Sequence, residues 1–388
     1  MSVVRADARR RWAAVAGLVA LVVVPTAWLR TGGPASGDDG TSARELLRRT
    51  LDSRTVAYTA LGESRGTLGL PTLPRLGAVA ELLGGTTRSR VWWSGPDRWR
   101  VDVVTATGER GTYGTPDGVV GWDYERRLLQ TVVGEPAARL PRADDLLAPQ
   151  AARRLLAGVA PQDSVRRLPA TRVGGRDAAG VRVRPADPGS TIGSAEVWVD
   201  VASGLPLRLR VVDRAGSESL VTQLTDVRLV RPSAAVTTPP QPAGVRDDVV
   251  TAPDVAAAID QRAPWRLPDR LAGLPATRSV FEGSVQGSFH GSFHGSATYG
   301  RGLVRFAVLP LPDRLAGDVV ANARSAGAAE VDVPGGVEYR LGSTLLDAVV
   351  VQGDDGEHAY LLAGLVTSEV LTRAARQLLS DPPPRRGP

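Results

Sequence analysis

Between Thr86 and Val133 short β-rich runs alternate with turn signals about every ten residues. TTRSRVWW leads into Ser94-Gly95-Pro96-Asp97, RWRVDVVTA follows, Thr107-Gly108-Glu109 turns the chain again, and Thr115-Pro116-Asp117-Gly118 precedes VVGWDY. Strand-forming runs bounded by Gly, Pro and Asp predict an antiparallel meander. Side chains alternate across a strand, so Trp99, Val101 and Val103 take one face while Arg98, Arg100 and Asp102 take the other. The Trp-bearing face needs a cover, and whether that cover is protein or ligand decides the function.

The same alternation resumes at Arg176–Arg184, Ser194–Asp200, Leu205–Val212 and Ser219–Leu229. It is cleanest at Leu205, Leu207, Leu209 and Val211, with Arg208 and Arg210 opposite. Helical spacing marks two segments. Leu46, Leu47 and Leu51 follow Ser42 and Glu45 in capping-box position, and Leu146, Leu147, Leu155 and Leu156 lie within Arg142–Val159. The second helix, with Asp144 and Asp145 at its start, is the expected lid over the apolar face. Residues 232–253 carry Pro239-Pro240-Gln241-Pro242 and no periodicity, and read as an extended linker. Beyond them a smaller α+β domain is expected over 254–380. It would have a helix from Asp254, strands near Thr277–Gly283, Gly295–Tyr299, Leu303–Leu309, Gly336–Leu341, Ala348–Gln352 and Glu357–Leu362, and a last helix from Ser368. Residues 381–388 read as a disordered tail. The expected fold class is mainly β with α, and the first domain spans 41–231.

Composition narrows the chemistry. The chain has 388 residues, no Cys, and 47 basic side chains that are all Arg. The Arg-only usage matches the codon bias of a GC-rich genome. Disulfides, thiol catalysis and thiolate metal sites are excluded. Arg5, Arg9, Arg10, Arg11 and Arg30 against Asp7 place most of the net charge of +6 in the first thirty residues. The remainder, about +2, is too little for a nucleic-acid footprint, so no nucleic acid is expected as a partner. Trp12 to Leu29 is uncharged and long enough for roughly 27 Å of helix. With Arg on its N-terminal flank, residues 1–30 are expected to be a single-pass anchor with a cytoplasmic N-terminus and an extracytoplasmic body. A cleaved signal, with Gly33-Pro34-Ala35 in the 31–40 spacer as cleavage site, gives a secreted body instead.

No catalytic constellation emerges, and an enzyme is not expected. Gly62-Glu63-Ser64-Arg65-Gly66 matches a nucleophile elbow by letter, but Thr67-Leu68-Gly69-Leu70-Pro71 cannot open the helix that an elbow requires. His290 and His294 sit in a Gly-Ser-Phe-His duplication with no acidic residue nearby, so a metal site is not expected. Leu-Pro-Asp-Arg-Leu-Ala-Gly occurs at Leu267 and again at Leu311, a chance repeat or a shared turn–helix start. The acidic pairs Asp144/Asp145, Asp247/Asp248 and Asp354/Asp355 lie at a helix start, in the linker and in a turn. None has the apolar setting that acid–base work demands. There is no phosphate loop or dinucleotide fingerprint, and no cofactor is expected.

What remains is the apolar sheet face. It is either plain core or an incompletely filled concavity for an acyl chain, and burial at about 0.8 kcal/mol per CH₂ would make such a guest favourable. The residues expected to line it are Trp99, Val101, Val103, Val120, Trp122, Tyr124, Val197, Val199, Leu205, Leu207, Leu209 and Val211. Leu147, Leu155 and Leu156 are the expected lid residues. Pro96-Asp97-Arg98-Trp99-Arg100-Val101, Gly121-Trp122-Asp123-Tyr124 and Val199-Asp200 through Gly204-Leu205-Pro206-Leu207-Arg208 resemble the LolA/LppX-like superfamily. The later segments Tyr299–Phe306, Ala348–Val351 and Leu365–Leu371 resemble the small second domain of the MucB/RseB family. That resemblance implies a curved antiparallel half-barrel beneath lid helices, then an α+β domain. It further implies a regulator that binds a membrane anti-sigma factor and senses a lipid or lipoprotein. A LolA/LppX-like carrier of lipid or lipoprotein is the alternative.

Overall fold

The computed structural model describes residues 40–67, 83–105, 108–134, 141–241, 244–251, 267–277 and 297–383. The expected N-terminal anchor, the helix from Asp254, His290 with His294, and the end of the tail lie outside the described residues. Among the described residues no helix is long and apolar enough to cross a membrane.

Helix α1 (Ala43–Asp52) starts where the sequence places it, because Ser42 Oγ accepts the Glu45 N–H at 3.2 Å. Arg48 and Arg49 hydrogen-bond the Glu45 carboxylate on the outer side and hold its pKa down at about 2, while Leu46 and Leu47 turn inward. The first sheet follows. Its strands are β1 (Tyr58–Gly66), β2 (Thr86–Gly95), β3 (Arg98–Thr105), β4 (Gly108–Thr115), β5 (Gly118–Asp123), β6 (Leu128–Val133), β7 (Ser164–Val173), β8 (Arg176–Arg184), β9 (Ile192–Asp200), β10 (Pro206–Asp213), β11 (Glu218–Arg228) and β12 (Arg246–Thr251). They lie in the order β12-β6-β5-β4-β3-β2-β1-β11-β10-β9-β8-β7. The two edges, β12 and β7, do not pair with each other, so the sheet is open and no barrel closes.

Three departures from the sequence reading have local causes. The segment expected as one helix over Arg142–Val159 is a 3₁₀ turn (Ala143–Leu146), an extended Leu147 and then α2 (Ala148–Leu156). Pro149 has no N–H to donate and fits only the first turn of a helix, so α2 begins anew after the extended Leu147. Strand β7 was hidden because Pro169 lies in a register shift between Leu168 and Thr171 that breaks its alternation. The stretch expected as an extended linker contains β12, which joins the sheet parallel to β6 while every other pairing in it is antiparallel. Strand β12 brings main-chain hydrogen bonds but little burial, since Val249 remains 67% exposed.

The second sheet comprises β13 (Arg270–Leu271), β14 (Leu274–Thr277), β15 (Ala297–Arg301), β16 (Val304–Pro310), β17 (Ala329–Val333), β18 (Gly336–Gly342), β19 (Asp347–Gly353) and β20 (Ala359–Gly364). Its order is β13-β14-β15-β16-β20-β19-β18-β17. Alternation along β19 sends Val349 and Val351 toward helix α4 (Ser368–Ser380), packed with Leu371, Ala375 and Leu378. Val350 goes the other way, toward helix α3 (Asp313–Ser325), packed with Ala316 and Val320. The sheet is thus covered on both faces.

The two sheets join through side-chain and main-chain hydrogen bonds and two buried leucines. Ser190 Oγ donates to the Leu303 carbonyl at 2.7 Å, Thr191 Oγ1 donates to the Leu345 carbonyl at 2.6 Å, and Thr367 N–H donates to the Gly189 carbonyl at 2.8 Å. Leu303 and Leu345 are buried in the same cluster as Val197 and Leu209 of the first sheet. Gly302, at φ +58°, lies so close to Gly158 that an added Cβ would come within 2.0 Å of the Gly158 carbonyl oxygen. Gly302→Val should therefore cost on the order of 2 kcal/mol or more and make the connection between the sheets protease-sensitive. Gly216→Ala, at φ +90° with open space around it, serves as the control for backbone strain alone. Equal thermal shifts for the two variants would mean that the junction carries no packing constraint.

Candidate functional site

The expected lining residues divide between the two faces of the first sheet. Register fixes the inner face: Trp93 pairs with Trp99, Val91 with Val101, Val197 with both Val181 and Leu209, and Val211 with Ala195. Trp99, Val101, Val197, Val199, Leu205, Leu207, Leu209 and Val211 all lie there, and all are buried. Val103 continues the same face past the helices and is half-buried.

Helices from this chain fill that face. Leu147 and Ala148 pack with Val91, Trp99, Val101, Leu205 and Leu207. Ala152, Leu156, Leu46 and Leu47 pack with Val181, Val197, Val199, Leu209 and Val211, and Leu155 lies half-buried at the margin. Thr222 Oγ1 donates to the Leu146 carbonyl and ties the 3₁₀ turn down onto β11. Tyr58, Trp93 and Trp99 stack in a row at 6.3 and 5.8 Å between ring centroids. Their indole N–H groups are satisfied by the Arg54 carbonyl at 3.2 Å and the Pro96 carbonyl at 3.0 Å. With both indole N–H groups paired, the two tryptophans are held as core.

One polar imperfection lies under the lid. The Tyr58 hydroxyl and the Gln150 amide interact with each other but form no hydrogen bond of good geometry, and both are buried. Burial raises the Tyr58 pKa and lowers that of nearby Arg153 to about 10, and Arg153 donates to Ser53 Oγ at 3.2 Å.

Val120, Trp122 and Tyr124 do not line this face, which corrects the sequence reading. The tight turn at Thr115–Gly118 pairs Gly114 with Val119, so Val119 shares the inner face with Trp99 and Val120 with Trp122 points outward. Trp122 and Val120 form a separate cluster with Tyr113 and Leu129, capped by Val245 from the stretch before β12. Tyr124 is 41% exposed, packs edge-on against Trp122 at 5.4 Å, and accepts a hydrogen bond from Arg100 at 3.1 Å. Ser64, the central letter of the nucleophile-like match, is a buried residue inside β1.

The segment that carries the lid helix and β7–β11 also carries a family match. Residues 142–241 match the family model described as MucB/RseB N-terminal domain. Over this stretch, 100 of its 388 residues, the chain is similar to MucB/RseB N-terminal domains. Similar solved structures include MucB in complex with the periplasmic part of MucA, at TM-score 0.48 and 19% identity over 86% of this chain and 97% of that one. The MucA/MucB complex of Pseudomonas aeruginosa gives 0.46 and 20% over 86% and 96%. A LolA superfamily protein from Nitrosomonas europaea gives 0.24 and 12% over 52% and 99%. No curated protein matches the chain. The MucB/RseB family is periplasmic. That placement corrects the expected single-pass location in the cell membrane; the described residues, which begin at residue 40, hold no helix long and apolar enough to cross a membrane.

A filled inner face makes two predictions for stability. Leu209→Ala, at a wholly buried position, should cost about 2–5 kcal/mol in chemical denaturation, against well under about 1 kcal/mol for Tyr124→Ala. Gln150→Leu should be neutral or stabilising by about 1 kcal/mol, because it removes two polar atoms without a well-formed hydrogen bond from an apolar setting. A loss of more than about 2 kcal/mol for Gln150→Leu would mean that this spot is built to hold a polar guest.

Proposed function

We propose that this chain is an extracytoplasmic regulatory protein that acts by binding an anti-sigma-type protein. The match of residues 142–241 to the MucB/RseB N-terminal domain carries the reading. MucB itself has been crystallised with MucA. The packing supports a binding role at the surface. The inner face is taken up by α1, the 3₁₀ turn and α2, which leaves the outer sheet face, the edges and the junction between the sheets for a partner.

Lipid or lipoprotein sensing in the concavity, the finer reading, is not favoured by this packing. At the residues expected to line the concavity, a guest would have to displace Leu147, Ala152 and Leu156 from the sheet. A carrier function would require that opening in every cycle, so the regulatory reading is preferred to the carrier. The chemistry is that of a binding protein rather than an enzyme.

The test is reconstitution. The purified protein should form a stoichiometric complex with the purified extracytoplasmic part of an anti-sigma factor from the same organism. Deleting its gene should change transcription from promoters of the matching sigma factor. Absence of a complex, together with unchanged transcription, would overturn the reading.

A further inference from the structure

The small net charge of the body is not evenly spread over the surface. Arginine recurs two residues apart in several strands of the first sheet: Arg88 and Arg90, Arg182 and Arg184, Arg208 and Arg210. The residues between them, Ser89, Val183 and Leu209, are buried, so alternation sends these arginines to the outer face. Arg65 and Arg166 reach the same face, since Arg65 pairs with Val221 opposite Arg210, and Arg166 pairs with Arg182.

The carboxylates there do not balance them. Glu196 is clamped between Arg182 at 2.7 Å and Arg210 at 3.4 Å, and Glu218 also pairs with Arg210 at 2.7 Å. Glu63 is shared by Arg65 at 3.6 Å and Arg88 at 3.9 Å. Among the described residues Arg208 has no carboxylate within salt-bridge distance. Its guanidinium lies 5.7 Å from the centroid of the Trp198 ring and is held by the neutral Gln223 Oε1 at 2.9 and 3.1 Å. Partial burial, then the neighbouring charge of Arg65, pulls its pKa below the usual guanidinium range. A half-buried cation crowded by like charges and held by an amide lacks its natural counter-ion.

We propose that the outer face around Arg208 is a docking surface for an extended acidic peptide segment. A guanidinium fork takes a carboxylate through two parallel hydrogen bonds. The arginines repeat every second residue along β10, β8 and β2, about 6.7 Å apart. Same-side side chains of an extended peptide have that repeat, which headgroups in a fluid bilayer do not. Trp198 adds an apolar plane against which the peptide can lie. This surface goes beyond the regulatory reading and does not rest on it.

The experiment is fluorescence anisotropy of a labelled peptide of alternating Glu and Ser with the purified protein at low salt, beside its Gln–Ser counterpart. The Glu peptide should bind and weaken as salt is raised, and the Gln peptide should not bind. Arg208→Gln should weaken binding roughly tenfold. Arg166→Gln, at an exposed position, should weaken it about threefold, and Arg324→Gln in the second sheet's helix should leave it unchanged. Equal binding of the two peptides, or full affinity in Arg208→Gln and Arg166→Gln, overturns the proposal. So does tighter binding to phosphatidylglycerol vesicles than to the Glu peptide. A failed peptide with an intact anti-sigma complex removes this surface alone.

Discussion

The structure depends on burial of one face of a twelve-stranded open sheet. An open sheet of that width cannot cover its own apolar side, and antiparallel strands with one wet face need a second layer. Among the described residues the layer is formed mainly by α1, the Ala143–Leu146 turn and α2. The three meet the sheet mainly through Leu46, Leu147, Ala152 and Leu156, against the Trp99 row on one side and the Val197–Leu209 rows on the other. Fully burying a residue of this kind is worth about 1.5–3 kcal/mol. The cover is accordingly a structural element and not a loose flap.

Among the described residues the inner face is packed by α1, the 3₁₀ turn and α2, and alternation makes the opposite face polar. The outer face concentrates arginine because each Arg-x-Arg strand sends its middle residue to the core. Four short hydrogen-bonded or glycine-to-glycine contacts fix the second sheet onto the first, with Leu303 and Leu345 buried in the first sheet's core. A partner touching both sheets would therefore meet surfaces held in register.

Much of the fold was legible where pattern and packing agree. The meander, the β8–β11 strands, the Ser42 cap and the final helix all follow from alternation or helical period. What was not legible depended on information that a local pattern lacks. Trp122 was assigned to the wrong face because composition does not show register: a tight turn at Thr115–Gly118 reverses which of two adjacent valines faces inward. The heptapeptide Leu-Pro-Asp-Arg-Leu-Ala-Gly makes the same point. Its first copy forms a hairpin turn, with Ala272 at φ +49° and Gly273 at φ +81°, whereas its second opens α3 after Pro312. Identical residues took opposite paths because Leu271 packs into one core and Ala316 into another. The arginine surface was visible as Arg-x-Arg repeats, but a net charge summed over the body concealed it.

Native mass spectrometry of the purified protein tests most directly whether the sheet's inner face is closed by the chain itself. The mass of the bare polypeptide, unchanged after incubation with a long-chain fatty acid, is the predicted result. A reproducible adduct of one acyl-bearing lipid, lost when Leu156 is replaced by Trp, would show a guest beneath the helices and contradict a filled core.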